Sequence, residues 1–566
     1  MARVGQPIDR RHFLRLATAG VAGAAGLALA GCGDDALLTN DATHAKNRAR
    51  ARTKDGARAG DPSGVRQTKL ASGVVVPTAS WLMAENRRPG TLEWIVNFVQ
   101  PDHALEGFAS QVSAVRGDDV TLFVNTTARA VQVKAYRMGY YQGLGGRLIY
   151  QSDMVAAGPQ PAPTVSLGIG TVSCPWSPTL SFTVDDTWPP GCYLLKLVGD
   201  GGQQQFVPLT IRDDASTAAY VLQNSVTTWQ AYNLYGGYSL YYGPNGRGGQ
   251  DFAHRARAVS FDRPYPQSWA SGAADFMGNE YPLLYHLESL GLDLTYWTDI
   301  DLHANPQLLG NHRCLFSLGH DEYWSSSMRN AARFFSGGGG NLAFLGANAC
   351  YRQIRLQSTS VGPERLQVCY KSAAEDPIAG PDPSQTTVNW NEPPVNQPES
   401  TLIGSTYQSV GAQADMVVTD SSSWFFDGCN LTDGFVIPKV IVGEYDRYVP
   451  SLPGPGNVDV LAHSPIPGQA NWSDLTYFTN SGKGGVLASG SAYFVYRLAN
   501  SVAMPPNVLP RPIPGETDVL LRAMENLYAH FGAGPAGATA PSVGNWTTVY
   551  SGTAAQKGSA VPTNAA

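Results

Sequence analysis

The sequence predicts an all-β domain followed by an α/β domain with a mostly parallel sheet, and three observations carry that prediction. From about 92 to 214, short runs of alternating apolar and polar residues, among them DVTLFVNT, VQVKAYRM, CYLLKLVGD and QQQFVPLTIRDD, are broken by turn residues every ten positions or so. That is the pattern of an antiparallel sandwich, immunoglobulin-like or of the kind found in carbohydrate-binding modules. After about Thr217 the order becomes strand, helix, strand, helix, strand, through AAYVLQ, a helix from about Ala273 to Leu290, LDLTYWT, CLFSL and NLAFLGANA. Such alternation builds a parallel sheet covered by helices. Finally, Cys314 to Trp324, CLFSLGHDEYW, is a continuously apolar run that turns polar at Gly319, as a strand buried on both faces does where it leaves its sheet.

A chain of 566 residues exceeds what one core can organise, and 61 glycines with 39 prolines imply many turns. The net charge of -6 argues against nucleic acid as a partner. At the start, Arg10 and Arg11 precede Phe13 and Leu14, an Ala/Gly-rich apolar segment follows, and Leu29-Ala30-Gly31-Cys32 closes it. This resembles a twin-arginine export signal ending in a lipoprotein box. The expectation is an exported chain beginning at a lipidated Cys32, anchored on the outer face of the cytoplasmic membrane or secreted. The domain plan is then signal 1–32, disordered tether 33–68, β-sandwich 69–215, α/β domain 216–534 with an insertion at about 377–481, and disordered tail 535–566. Setting Cys32 aside leaves six cysteines, of which Cys174 and Cys192 are the expected disulfide pair.

Within the β-domain, Tyr136, Tyr140 and Tyr141 are expected to pack against the domain that follows rather than to stack a sugar. In the helix ending near Leu290, Leu283, Leu287 and Leu290 share a face and Gly291 stops it. Ser325 is placed to cap the helix SSMRNAARFFSGG. The closing helix TDVLLRAMENLYAHFG presents Val519, Ala523 and Leu527 in one stripe.

Three polar groups fall at the carboxyl ends of predicted strands: the Tyr232 region, His320 with Glu322, and Asn348. That edge of an open α/β sheet is where ligands bind. There is no GxSxG elbow and no HExxH, and Cys350 falls about two residues late to be a nucleophile at the turn after its strand. Tyr232, Tyr235, Tyr238, Tyr241 and Tyr242 crowd one segment. They read either as packing residues or, beside a carboxylate, as a hard oxygen set suited to ferric iron. Glu444, in VIVGEYDRY, reads either as a carboxylate that contacts the site or, the favoured reading, as a structurally buried one.

The order WQAYNLYGGYSLY, VSFDRPY, LGHDEYW, LGANACY resembles the catalytic large (beta) subunit of N,N-dimethylformamidase and its family. The resemblance implies a β-sandwich joined to an amidotransferase-like α/β domain, and a mononuclear ferric ion (Fe3+) held by two tyrosines and a glutamate. Carried onto this chain, the metal ligands are Glu322 with Tyr232 and Tyr241, for which Tyr242 or Tyr235 can exchange, and His320 and Asn348 are the catalytic residues beside them. Asp321 stands where the family pattern has a proline. The implied activity is hydrolysis of a C–N bond in a small amide or formamide, in a chain free to form a homo-oligomer. The alternative is a non-catalytic, glycan-binding envelope lipoprotein with a degenerate α/β domain.

Overall fold

The structure is a computed structural model that describes residues 64–97, 100–498 and 518–551. The expected export signal and nearly all of the expected tether lie outside the described residues. The last residues of that tether do not fit the expectation: Val65–Lys69 is a strand paired antiparallel with Val75–Ala79.

The β-domain holds strands β1 (Leu105–Ala109), β2 (Asp119–Thr126), β3 (Ala130–Met138), β4 (Gly146–Gln151), β5 (Leu180–Thr183), β6 (Gly191–Gly199) and β7 (Gln204–Arg212). One sheet runs β5-β2-β1, and the other runs from the short strand Ser113–Val115 through β7-β6-β3-β4. All of these pairs are antiparallel except Ser113–Val115 with β7. Alternation puts Val120, Leu122 and Val124 of one sheet against Val131, Val133, Leu195, Leu197, Val207 and Leu209 of the other, a single apolar core.

The second half begins with β8 (Tyr220–Asn224) and helix α1 (Val226–Tyr232). It continues with α2 (Tyr281–Ser289), β9 (Leu294–Thr298), β10 (Cys314–Leu318), α3 (Ser326–Gly337) and β11 (Asn341–Leu345). A long two-stranded ribbon follows, β12 (Thr406–Val417) with β13 (Val436–Arg447), and then β14 (Asp459–Pro465), β15 (Trp472–Thr479), β16 (Gly485–Ala488) and α4 (Asp518–Ala533). The sheet order is β9-β8-β10-β11-β16-β15-β14. Its first five strands are parallel, while β15 and β14 add antiparallel. Those two strands lie in the stretch expected to be an insertion, so that stretch completes the sheet as well as covering it.

Several local expectations have visible causes. Ser325 Oγ accepts from Met328 N at 3.3 Å and caps α3. The helix foreseen from Ala273 to Leu290 is broken at Glu280, where the side chain turns inward to accept from Asn224 Nδ2, Ser225 N and Trp229 Nε1. The tail foreseen as disordered from 535 is ordered to 551. Trp546–Tyr550 is a helix with Val549 buried, and the Tyr550 hydroxyl donates to Asp474 at 2.5 Å. No Cys174–Cys192 disulfide forms. Cys192 Sγ faces Asn224 Oδ1 at 3.2 Å in one apolar cluster, Cys174 packs near Trp176 and Tyr235 in another, and both thiols are free.

The two halves share a core in which Tyr136, Leu194 and Phe206 meet Leu222, Leu283 and Phe276. At that junction the fully buried Arg137 of β3 forms a bidentate pair with Glu288 of α2, at 2.7 and 3.0 Å. Tyr296 donates to the same carboxylate at 2.6 Å, and Arg137 reaches Tyr141. The tyrosines of the RMGYY segment thus pack between the halves. Glu288→Gln leaves a buried guanidinium without its counter-charge, and equilibrium denaturation is expected to show a loss of about 3–5 kcal/mol; an unchanged midpoint contradicts this account of the junction. Burial pushes the His286 imidazole of α2 down to about 4, against 6.5 ordinarily. The unfolded chain therefore takes up the proton first, and stability present above pH 6.5 is lost as pH falls from there toward 4. His286→Phe, which retains packing on Tyr528, is expected to flatten that limb of the stability–pH curve by a total on the order of 3 kcal/mol.

Candidate active site

Two glycines allow the site to form at the carboxyl edge of the sheet. Gly319, at the end of β10, has φ +54° and lies so close to Asn279 that a Cβ there would sit 2.6 Å from the Asn279 Cβ. Gly346, after β11, would place a Cβ 1.5 Å from the Gly319 carbonyl oxygen. The two strand ends therefore touch backbone to backbone, and the residues that follow each glycine emerge side by side. His320 and Glu322 come from one end and Asn348 from the other. Asn348 adopts φ 57°, a left-handed conformation asparagine tolerates, with its backbone N–H donating to both carboxylate oxygens of Asp446 at 2.8 and 3.0 Å.

Tyr232 is the last residue of α1, and Tyr241 returns beside it because Leu240 N donates to the Ala231 carbonyl. Helix α1 is itself anchored: Thr227 N donates to Asp299 at 3.0 Å, and Thr228 Oγ1 accepts from the backbone N–H of Glu322 at 2.9 Å. The two phenol rings stack with centroids 4.5 Å apart.

The oxygens converge. Tyr232 donates to Glu322 Oε2 at 2.8 Å, Tyr241 lies 2.7 and 2.9 Å from the two carboxylate oxygens, and the hydroxyls are 2.9 Å from each other. His320 Nε2 lies 3.4 Å from Glu322 Oε2 and 2.7 Å from Glu444 Oε2. Asn348 Nδ2 reaches Glu444 Oε2 at 3.1 Å and His320 Nε2 at 3.4 Å. The structure thus brings all five expected residues, Tyr232, Tyr241, His320, Glu322 and Asn348, into one cluster. Tyr235, one of the two exchange candidates, is turned away to donate to Glu106 at 2.7 Å.

The charges around the cluster are unusual for an interior. The Glu322 side chain is only 1% exposed. Burial, and then the Glu322 carboxylate, push the Tyr232 and Tyr241 phenols well above their ordinary value, so against the protein's own charges both are neutral donors. On the other side of Tyr241 the Lys371 Nζ lies 3.2 Å from its ring centroid and has no hydrogen-bond partner among the described residues; burial, and then Arg352, push its ammonium well below the usual lysine range. Arg352 Nε stands 3.5 Å from Glu322 Oε1. Asp321 points away from the cluster, accepting from Gln223 at 3.0 Å and Ser317 at 2.8 Å, and burial raises it to about 6. That carboxylate fastens the turn between His320 and Glu322 to two strands of the sheet.

Sequence reasoning missed two neighbours, Lys371 and Arg352, and favoured a structural role for a third that it had named. Glu444, expected to be structural, contacts both His320 and Asn348, because the ribbon β12–β13 folds over the sheet edge with register shifts that alternation alone does not reveal. Lys371 and Arg352 carry no signal beyond being charged residues that follow short buried runs.

Among the described residues no group of three or more His, Cys, Asp or Glu gathers as a metal site. A family model described as N,N-dimethylformamidase beta subunit-like, C-terminal, matches residues 132–506. No curated protein matches. Among solved structures, one similar chain is a Paenibacillus sp. cycloisomaltooligosaccharide glucanotransferase complexed with cycloisomaltoheptaose, at 8% identity over 68% of each chain. Its TM-score of 0.16 is too low for the likeness to carry an argument.

Cys350 is fully buried, and its Sγ accepts from Arg329 at 3.3 Å. Burial pushes its thiol up to about 11 despite that guanidinium, which removes it as a nucleophile. The folded protein is expected to leave Cys350 unlabelled by iodoacetamide at pH 8 while the urea-unfolded chain labels fully, as mass spectrometry of the peptides reads; rapid labelling of native protein contradicts this.

Proposed function

The chain belongs to the N,N-dimethylformamidase beta subunit-like family, and from that premise we propose that it hydrolyses the C–N bond of a small linear amide or formamide, with Tyr232, Tyr241 and Glu322 as ligands of a ferric ion. The observation that carries this reading is the convergence of three oxygen donors within 2.7–2.9 Å of one another. That is the spacing of adjacent ligands around a small cation bonded at roughly 2.0–2.1 Å. The donor chemistry fits as well, since phenolate and carboxylate are hard oxygen ligands and a nearby multivalent charge reverses the balance that keeps these phenols protonated. Bound there, a ferric ion supplies Lewis acidity toward a carbonyl oxygen and toward water.

The chain's own residues handle the proton and the developing charge. His320 Nε2 and Glu444 Oε2, 2.7 Å apart, form a pair that accepts a proton from the attacking water and returns it from the imidazole to the amide nitrogen, so that the amine leaves neutral. Asn348 Nδ2, tethered to the same carboxylate, is the donor that meets the oxygen as the carbonyl carbon becomes tetrahedral. Its fixed left-handed backbone, bonded to Asp446, limits the reorganisation that step requires. Stacked Tyr232 and Tyr241 close one side against water.

The same reading takes the β-domain as an immunoglobulin-like sandwich and the second half as an amidotransferase-like domain whose nucleophile position, after β11, has become Ala347 and Asn348. It also takes the protein as exported by the twin-arginine route and tethered to the outer face of the cytoplasmic membrane through Cys32. The alternative of a non-catalytic glycan-binding lipoprotein leaves the buried cluster without a role.

Elemental analysis and a visible spectrum of the folded chain test this directly. About one iron per chain is expected, with a phenolate charge-transfer colour that weakens in Tyr241→Phe and metal that is lost in Glu322→Ala. A colourless protein free of metal after anaerobic iron loading contradicts the reading.

A further inference from the structure

The motif VSFDRPY lies outside the chemistry just described, yet its arginine is among the most deeply placed charges in the molecule. Arg263 is 2% exposed, and among the described residues no carboxylate stands within ion-pair distance of it. A buried guanidinium without a counter-ion is costly unless its protons are taken up by other acceptors. Three backbone carbonyls take up Nη protons: Nη1 donates to Tyr235 and Tyr238, both at 2.9 Å, and Nη2 donates to Asn233 at 3.0 Å, while Nε has no partner among the described residues. All three lie in the segment 233–240 that joins Tyr232 to Tyr241.

The same segment is also held by the β-domain. Tyr235 donates to Glu106 Oε1 at 2.7 Å, and the carboxylate, 4% exposed on β1, is fixed in turn by Asn125 Nδ2 and His103 Nδ1, each at 2.9 Å. Gly236 is pressed so closely on Val172 that a Cβ there would approach Val172 Cγ1 to 2.6 Å. The segment contains two glycines at positive φ, Gly236 and Gly237, so its own backbone does not define one shape. Two phenols that must meet one carboxylate need their supports held to within about 0.5 Å. The constraint therefore comes from outside the segment.

We propose that Arg263 and Glu106 together clamp segment 233–240, acting as positioning residues that hold Tyr232 and Tyr241 in ligand geometry and making the β-domain a working part of the site. This rests on the iron-binding reading above. Arg263 suits the task because a planar fork can reach three carbonyls at once, which a lysine ammonium on a flexible stem does not reproduce.

The test is a ferric ion titration of the folded full chain, followed by phenolate absorption, together with amide hydrogen exchange of residues 233–241 in metal-free protein. Both are run on wild type, Tyr235→Phe and Arg263→Lys. Tyr235→Phe deletes a single hydroxyl and keeps the ring packed, so it decides the matter if Arg263→Lys does not fold. The expected result is one iron per wild-type chain, affinity about 10–100-fold weaker in each variant, an altered charge-transfer band, and faster exchange confined to the segment. Variants that bind iron as wild type does and exchange at its rate overturn the clamp while leaving the site intact. A wild-type protein that takes up no iron overturns the site reading, and the role of the clamp falls with it.

Discussion

A carboxylate buried as fully as that of Glu322 must be met by donors or by a cation, since an ion stripped of water without either costs several kcal/mol. In this molecule it is met by two phenol hydroxyls, at 2.7–2.9 Å, and by an imidazole and a guanidinium somewhat farther off. Nearly everything about the second half can be traced to making that meeting possible. The carboxylate leaves the sheet at a glycine that must have no side chain, the helix bearing one phenol is roped to the next turn through Thr228, and the second phenol is brought back by a short connection. The ribbon β12–β13 closes the remaining side with Glu444 and Asp446. Burial holds the Asp446 carboxyl up at about 8, so at neutral pH this acid adds little negative charge to a region already rich in carboxylates.

The same dependence runs outward into the β-domain. Arg137 with Glu288, and Glu106 with Tyr235, are buried polar contacts between the halves, and each sets a charged group of one half against a partner from the other. Contacts of this kind contribute little net stability compared with apolar packing, but an alignment of the halves that separates the partners is penalised. That makes them better suited to fixing geometry than to raising a melting temperature, and a site whose tyrosines hang on a glycine-containing connection needs that fixing.

Much of this was legible in the sequence, for identifiable reasons. Continuous apolar runs such as CLFSL and NLAFL announce strands buried on both faces, and a run of this kind that turns polar at a glycine announces the functional edge; His320, Glu322 and Asn348 follow from that alone. Choosing Tyr232 and Tyr241 from five crowded tyrosines needed the family resemblance. Glu444 was named but favoured as structural because its position depends on a ribbon with irregular register, joined to the site by no local pattern. The disulfide expectation failed because an even cysteine count says nothing about which core each thiol occupies, and Cys174 and Cys192 occupy different ones. The tail was misjudged because its Ala/Gly/Pro/Ser composition masks Trp546, Val549 and Tyr550, which suffice to dock one short helix.

The measurement that bears most directly on the central claim is anomalous diffraction at the iron edge from crystals of the iron-loaded full chain. The account predicts one strong peak bounded by the Tyr232 and Tyr241 hydroxyl oxygens and the Glu322 carboxylate, with His320 and Asn348 beside it. A peak elsewhere in the fold, or none from protein shown in solution to carry iron, contradicts it.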